Sequence, residues 1–556
     1  MSFPRRCTRS VVTFLMSGAA IAVSGCLDQP TTPTPDTPQQ AWLSAIPTQA
    51  RDVPAVEIDL PPEPRPWDTS DAALVDAVAA EDGVVIIGFK ERNSERTLNT
   101  GRRDAIRAAT IEEAERMVSQ LDAEVIYKYR SFGAVAMRIE PERAPEIRRH
   151  PLVDYVEPNQ WYEIAAAPFR PASPAPQGQT TPWGISLVRA PEAWTVSTGS
   201  GVMVEMIDTG HDQGHEDLPY VPTGNCGGLF GGCDDGPFWH GTHVLGIFTA
   251  RDNSIGVVGV APGIAGSQTY VWGACSSVAG VCSLTDAAAG LDAGRWVGVK
   301  VVNMSFAGTY NQALATAVAN AWAADIVLVA AAGNNGGYQT VYPAAHDNVI
   351  GVSGLRPDKS FAGTSPCGDS SNYGPHVDLS APFWALSTVG NDGYEDEDEG
   401  WCGTSMAAPH VAGTAALVRS EYPSLSNAEV VSRLFSTAED LGASGKDVYF
   451  GYGLVDAAYA TGAEYQPLSV SIWGPTLVRP DDICSWRADA SGGTGEYEYN
   501  WYKNYYWWVG SDEWVMLETP SEGGSFKLDV RIGDGVSGAF DRITVRASSS
   551  APRCVQ

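Results

Sequence analysis

Apolar strand-like runs alternate with helix-like runs between residues 179 and 465, and this alternation restricts the fold more than any other feature of the chain. The runs GVMVEMID, KVVNMSF and DIVLVAAAG are apolar at consecutive positions, which is typical of strands buried on both faces. The segments LTDAAAGLDAGRWVG and NQALATAVANAWAA have helical periodicity. The pattern predicts an α/β domain whose parallel sheet is covered by helices on both faces.

Further units flank this domain, because 556 residues are too many for one hydrophobic core. Residues 82–163 have the strand and helix order of a β-α-β-β-α-β unit, which predicts a small ferredoxin-like α+β fold. Residues 466–556 contain short alternating strands, which predict an all-β sandwich of immunoglobulin-like or polycystic-kidney-disease-like type. Residues 27–81 and 164–178 are rich in proline and are predicted to be extended linkers.

Aromatic residues are frequent in the C-terminal module, and two interpretations of them stay open. They are packing residues of the sandwich, or they form a face that binds sugar or matrix material. The residues concerned are Trp501, Trp507, Trp508 and Trp514.

The first 26 residues have the pattern of an export signal. The basic start RRCTR is followed by the apolar run VVTFLMSGAAIAVSG, which is short for a membrane span. The end of this run, followed by Cys26, resembles the cleavage box of bacterial lipoproteins and predicts a lipid on Cys26; an ordinary secretory signal is the alternative. The chain is therefore expected outside the cell or on the bacterial cell surface, with lipid anchoring before processing.

The charge and the cysteines narrow the class of partner and the compartment. With 36 Lys and Arg against 66 Asp and Glu, the net charge of −30 argues against nucleic acid as a partner. If Cys7 and Cys26 are set aside, eight of the ten cysteines remain, an even number that favours disulfides in an exported chain. Their spacing suggests the local pairs Cys226–Cys233, Cys275–Cys282, Cys367–Cys402 and Cys484–Cys554, although other connectivities stay open.

Three residues of the large domain carry the groups that nucleophilic catalysis requires. Asp208 ends the run VEMID, His240 opens HGTHVLGIF, and Ser405 lies in GTSMAAPH. A hydroxyl nucleophile needs an imidazole to accept its proton and a carboxylate to orient that imidazole. Because strand ends and helix starts of an α/β sheet meet at one edge, we expect the three side chains to converge there.

The motifs Asp-Thr-Gly, His-Gly-Thr-His and Gly-Thr-Ser-Met-Ala-x-Pro-His, in this order, resemble those of the subtilisin-like serine proteases. The resemblance implies a peptidase domain at residues 179–465 and an inhibitory propeptide at residues 82–163. It also implies that Asn334 supplies the side chain of the oxyanion hole. The implied substrate-binding segment is Ser305, Phe306 and Ala307.

The same resemblance implies a structural calcium ion and no organic cofactor. Calcium takes carboxylate, amide and carbonyl oxygens, and an ordinary Asn-Gly turn is the alternative for this part of the chain. The implied ligands are side-chain oxygens of Gln179, Asp217 and Asn253 and backbone carbonyls of Arg251, Ile255 and Val257.

Together these features predict an exported serine endopeptidase, made as a zymogen that cleaves itself between about Ile164 and Gln179. Its expected partners are protein or peptide substrates and its own propeptide, which inhibits within the same chain. Two alternatives stay open. One is a di- or tripeptidyl exopeptidase, and the other is a surface binding protein that keeps the fold without turnover.

Overall fold

The structure is a computed structural model, and its described residues belong to the compact unit Ala55–Gln556. They are residues 70–90, 123–164, 178–229, 233, 235–236, 239–276, 280–395, 401–463, 468–492, 497–505, 507–533 and 538–554. The predicted signal, the lipidation site Cys26 and most of both linkers lie outside them. Within the described part of the chain, no helix is long and apolar enough to cross a membrane.

The N-terminal unit is a four-stranded antiparallel sheet, as the ferredoxin-like prediction requires, with one short helix before its first strand and another before its last. The helix predicted between the first and second strands lies almost entirely outside the described residues. Its strands have the spatial order β2-β3-β1-β4. A fifth strand leaves this unit and pairs elsewhere. The elements are α1 (Asp71–Ala80), β1 (Val84–Phe89), β2 (Glu124–Tyr129), β3 (Ala134–Arg138), a 3₁₀ turn (Pro141–Arg143), α2 (Ala144–Arg148), β4 (Val153–Pro158) and β5 (Trp161–Glu163).

Helix α1 differs from the prediction of an extended linker up to residue 81. Ser70 caps it, because its hydroxyl accepts the Ala73 amide at 3.2 Å. Leu74 and Val78, one turn apart, are buried in the core of the N-terminal unit. The proline-rich composition upstream hid this helix, and the unit begins about ten residues earlier than predicted.

The peptidase domain is built on a seven-stranded sheet whose strand pairs are all parallel, which confirms the predicted α/β fold. The strands are β6 (Val204–Asp208), β7 (Cys226–Gly227), β8 (Thr269–Gly273), β10 (Val301–Met304), β11 (Val327–Ala331), β12 (Val349–Leu355) and β13 (Leu379–Pro382). Their spatial order is β13-β12-β11-β10-β6-β8-β7. Short strands outside this sheet are β9 (Val281–Ser283), β14 (Ser387–Val389) and β15 (Gly393–Glu395).

Helices pack on this sheet in two hydrophobic clusters. The helices are α3 (Trp183–Leu187), α4 (Ala190–Ala193), α5 (His240–Thr249), α6 (Leu284–Val297), α7 (Gln312–Ala323), α8 (Thr404–Glu421), α9 (Asn427–Thr437) and α10 (Ala457–Thr461), with 3₁₀ turns at Thr223–Asn225 and Gly266–Gln268. Helix α8 is buried from Thr404 to Arg419 because small residues let its backbone approach the strands closely.

The C-terminal module has two sheets with the orders β16-β18-β21 and β17-β23-β22-β19-β20. The strands are β16 (Ser469–Trp473), β17 (Leu477–Val478), β18 (Ile483–Ser491), β19 (Glu498–Lys503), β20 (Trp507–Gly510), β21 (Trp514–Glu518), β22 (Ser525–Gly533) and β23 (Gly538–Ala547). Trp501 is fully buried, so it is a packing residue, whereas Trp507, Trp508 and Trp514 are exposed.

All four predicted cysteine pairs are disulfides in the structure. Three of them lie in the peptidase domain and the fourth, Cys484–Cys554, ties the end of the chain to β18. The local pairing inferred from spacing is therefore confirmed.

Candidate active site

The carboxyl end of β6 and the first residue of α5 bring a carboxylate and an imidazole together. Asp208 is the last residue of β6, and its Oδ1 lies 2.7 Å from Nδ1 of His240. Both side chains are fully buried. The same oxygen accepts the backbone amide of Thr209 at 2.7 Å, and the Thr209 hydroxyl oxygen lies 3.2 Å from it. A carboxylate fixed by a backbone amide orients the imidazole ring.

A second carboxylate, which the sequence analysis missed, lies behind this pair. Asp235 is buried and accepts the hydroxyl of Thr209. It also accepts the Thr242 amide at 2.7 Å and the Thr242 hydroxyl at 2.5 Å. Burial raises the pKa of Asp235 to about 7, against the lowering effect of these hydrogen bonds. Thr209 thus connects the two carboxylates, Asp208 and Asp235.

Ser405 is the second residue of α8, at the end of the helix where backbone amides are unpaired. Its hydroxyl donates to the carbonyl of Ser305 at 3.1 Å. Four residues later, Pro409 lacks the amide that would bond the Ser405 carbonyl within the helix. The Ser305 hydroxyl donates to that carbonyl at 2.8 Å instead, so the two serines exchange reciprocal hydrogen bonds.

Asn334 lies beside Ser405, and its orientation follows from its partner. Its Oδ1 accepts both the backbone amide and the hydroxyl of Thr404, each at 2.8 Å. A backbone amide can only donate, so the atom facing Thr404 is the oxygen and the amide nitrogen of Asn334 points the other way. Asn334 and Ser405 line the same cavity.

This cavity has a volume of about 470 Å³, within the range of side-chain and ligand pockets. The predicted residues Phe306 and Ala307 line it, together with Trp161 and Ile164 of the N-terminal unit. Ser305 lies behind the cavity, where its hydroxyl also accepts the Asn303 amide at 3.0 Å. The predicted substrate segment and the predicted oxyanion-hole residue therefore share one hollow.

The tail of the N-terminal unit occupies the cleft as an added strand. Strand β5 pairs antiparallel with β9 of the peptidase domain, and the Ile164 amide donates to the Gly280 carbonyl at 3.2 Å. On the opposite side, the Tyr162 hydroxyl donates to the Thr309 carbonyl at 2.6 Å. The Tyr162 ring packs on Phe306 with centroids 5.9 Å apart. The tail thus lies between β9 and the segment that begins at Ser305.

Two polar residues of the N-terminal unit meet helix N-termini of the peptidase domain. The Glu157 carboxylate accepts the amides of Gln312 and Ala313, both at 3.0 Å, at the start of α7. Asn159 Oδ1 accepts the Thr285 amide at 3.1 Å, at the start of α6. These contacts satisfy amides that a helix leaves unpaired and fix the unit against two helices. The sequence analysis assigned no role to either residue.

The residues predicted to bind calcium also come together. The Gln179 amide donates to the Arg251 carbonyl at 2.9 Å, and its oxygen accepts the Ser254 amide at 3.2 Å. Asp217 is fully buried and accepts the Asn253 side-chain amide at 2.9 Å and the Val257 amide at 2.7 Å. The same loop also contains the carbonyl of Ile255. The oxygen atoms available as metal ligands are therefore those of a buried carboxylate, side-chain amides and backbone carbonyls, a set that fits calcium.

Comparisons with known proteins agree with this geometry. Residues 199–453 match the model of the subtilase family, and residues 84–165 match that of the peptidase inhibitor I9 family. The chain is 33% identical to an alkaline protease of Shouchella clausii over 398 residues, which cover 69% of this chain and 93% of the relative. It is 38% identical to subtilisin DY of Bacillus licheniformis over 291 residues, covering 51% and 99%.

The chain therefore belongs to the subtilase family, and it is a subtilisin-like serine protease preceded by an I9-type propeptide.

Proposed function

We propose that the protein is an endopeptidase in which Asp208, His240 and Ser405 form the catalytic triad. The observation that carries the proposal is the buried 2.7 Å contact between Asp208 and His240, in a domain where Ser405 lies in the first turn of α8 beside Asn334. In the structure the Ser405 hydroxyl donates to the Ser305 carbonyl, so the proposed mechanism requires it to exchange this acceptor for the His240 imidazole.

In this mechanism Ser405 Oγ attacks the peptide carbonyl while His240 takes its proton and later gives it to the leaving amine. Asp208 keeps the imidazole in one tautomer and stabilises its cation. The negative charge on the tetrahedral oxygen meets the Asn334 amide nitrogen, the Ser405 backbone amide and the positive end of α8. Collapse of the intermediate leaves an acyl-enzyme on Ser405, which water hydrolyses by the same route.

The cleft favours internal cleavage over removal of di- or tripeptides. The part of the tail in the cleft is β5 and Ile164, four consecutive residues that end at the catalytic cavity. A cleft that accepts this many residues upstream has no wall two or three residues from the scissile bond. A polypeptide substrate would take the path of the tail once the propeptide leaves.

We further propose that the enzyme is a zymogen and is exported. Strand β5 occupies the substrate path, and the chain must be cut after it, between Ile164 and Gln179, to open the cleft. Residues 1–26 and the lipid on Cys26 support export as a sequence pattern only, since they lie outside the described residues.

Structural calcium is proposed at the loop that contains Asn253. Side chains of Gln179, Asp217 and Asn253 and carbonyls of the same loop would hold the ion, which would neutralise the buried Asp217 carboxylate and rigidify the loop. The reaction itself uses none of these groups.

Labelling and cleavage assays test the proposal together. A fluorophosphonate should label Ser405 in the mature protein, and Ser405→Ala should neither label nor hydrolyse casein, while Ser436→Ala on α9 should do both. An N-acetylated dodecapeptide should be cut at internal bonds. Release of only N-terminal di- or tripeptides from the free-amine peptide would favour the exopeptidase alternative, and absence of labelling would favour a binding protein.

A further inference from the structure

The strand that pairs with the propeptide tail has little support of its own. Strand β9 has three residues and forms a two-stranded sheet with β5, separate from the seven-stranded sheet. Its other backbone contacts are those of a local hairpin, in which Ser283 donates to Ala274 at 2.9 Å and Ser276 to Val281 at 2.8 Å. When the tail leaves, β9 loses the strand that pairs with it.

A disulfide crosses this hairpin at its centre. Cys282 is the middle residue of β9, and it is bonded to Cys275 on the opposite arm. Cys282 is completely buried and Cys275 nearly so, and both belong to the buried cluster that contains Tyr162 of the tail. Tyr162 of the tail is paired directly with Cys282 in the β5–β9 register.

The other cysteine of this disulfide, Cys275, is hydrogen-bonded to Asp208, the carboxylate residue of the proposed triad. The Cys275 amide donates to the backbone carbonyl of Asp208 at 3.0 Å. Cys275 follows β8, whose last residue Gly273 is paired with Asp208 in the parallel register. The covalent bond therefore joins β9 to the segment after β8, and one backbone hydrogen bond joins that segment to Asp208 at the end of β6.

We propose that the Cys275–Cys282 disulfide is a positioning element that holds β9 at a fixed register to the catalytic groups, and so makes hydrolysis depend on upstream peptide length. The inference rests on the endopeptidase function proposed above. A peptide long enough to pair with β9 uses the strand as the tail does, through backbone hydrogen bonds. An ester of a single residue reaches Ser405 without touching β9, so its hydrolysis does not need the disulfide.

The test compares two substrates with the same residue at the scissile bond: an acetylated tetrapeptide anilide and a single-residue ester. In Cys275→Ala/Cys282→Ala, kcat/KM for the tetrapeptide should fall about 10- to 100-fold, the equivalent of losing two strand hydrogen bonds. The ester should stay within about twofold of the parent enzyme. Rates are normalised to active sites counted with a fluorophosphonate, and Cys484→Ala/Cys554→Ala in the C-terminal module is the matched disulfide control.

A second pair of substitutions, Cys275→Val/Cys282→Val, restores volume and strand preference in case the alanine variant does not mature. An unchanged ratio of tetrapeptide to ester hydrolysis in a labelled variant would overturn the inference, and so would an equal loss on both substrates. Failure of the parent enzyme to label with the fluorophosphonate would instead overturn the proposed function.

Discussion

A carboxyl group without partners in the core of the peptidase domain allows a quantitative prediction. Glu205 lies on β6, three residues before Asp208, and its side chain is fully buried. Neither carboxyl oxygen has a hydrogen-bond partner among the described residues. Burial raises the pKa of Glu205 well above its ordinary value of 4.5. The folded chain therefore keeps a proton that the unfolded chain loses.

This difference in pKa makes stability depend on pH in a definite direction. Below pH 4.5 the Glu205 carboxyl is protonated in both the folded and the unfolded chain, and its contribution to the free energy of unfolding is fully present. Above pH 4.5 the free energy of unfolding falls by about 1.4 kcal/mol for each pH unit, until the pH reaches the folded pKa. Each pH unit between the unfolded and the folded pKa therefore lowers the Tm of a domain of this size by about 3–6 °C.

Glu205→Met removes the titrating group and keeps the side-chain volume, so the variant should be more stable than the parent. The gain in Tm should be larger at pH 7 than at pH 5, because the parent loses stability as the pH rises above 4.5. Calorimetry of the peptidase transition at both pH values measures it, in a Ser405→Ala background that prevents self-digestion. The same gain at both pH values would refute the reasoning.

Gly294 on α6 allows an independent test of where the Glu205 side chain lies, because a Cβ at position 294 would overlap Oε2 of Glu205. Gly294→Ala should therefore destabilise the parent. In a Glu205→Ala background the clash is gone, and the same substitution should be tolerated or stabilise α6 by up to about 1 kcal/mol.

Three further predictions concern the propeptide, the calcium loop and the second carboxylate. Glu157→Ala leaves two amides at the start of α7 unpaired. In inhibition titrations, the separately added propeptide that carries this substitution should inhibit the mature enzyme about 10- to 100-fold less well. The control Glu146→Ala on α2 should not change inhibition. Chelator should lower the Tm of the Ser405→Ala protein by several degrees, and Asn253→Ala should abolish that difference; a Tm indifferent to chelator would remove the calcium proposal. Because the pKa of Asp235 is raised to about 7, its negative charge develops near neutrality. Asp235→Asn removes this charge and should move the acid limb of the pH profile of kcat/KM to lower pH. If the acid limb stays at the same pH, Asp235 acts through packing alone.

Sequence analysis could predict those features of the protein that depend on a particular residue type at a particular position in a motif. Asp208 ends β6, His240 opens α5 and Ser405 lies in the first turn of α8, positions that the alternation of elements predicts; their joint action as a triad stays a proposal. The pairs Cys226–Cys233 and Cys275–Cys282 were predictable because cysteines seven residues apart favour local bonds.

The parts it missed depend on contacts between distant segments. Glu157 and Asn159 act on helices more than 120 residues away, and nothing in their neighbouring sequence announces this. Asp235 lies in the loop before α5 and contacts Thr209 from there. Hydrophobic periodicity predicts helices and strands but not the conformation of a loop. The fully buried Glu205 breaks the apolar rule of a central strand, so pattern reading passed over it.

The proline in α8 has a consequence for the nucleophile itself. Since Pro409 cannot satisfy the Ser405 carbonyl, a hydroxyl from a segment one hundred residues earlier does so. The start of α8 is thereby joined by two reciprocal hydrogen bonds to the segment that leads into Phe306 and Ala307, which line the cavity. If Ser405 is the nucleophile, substitutions that displace this segment should also displace its hydroxyl, so a change in side-chain preference should be accompanied by a lower kcat.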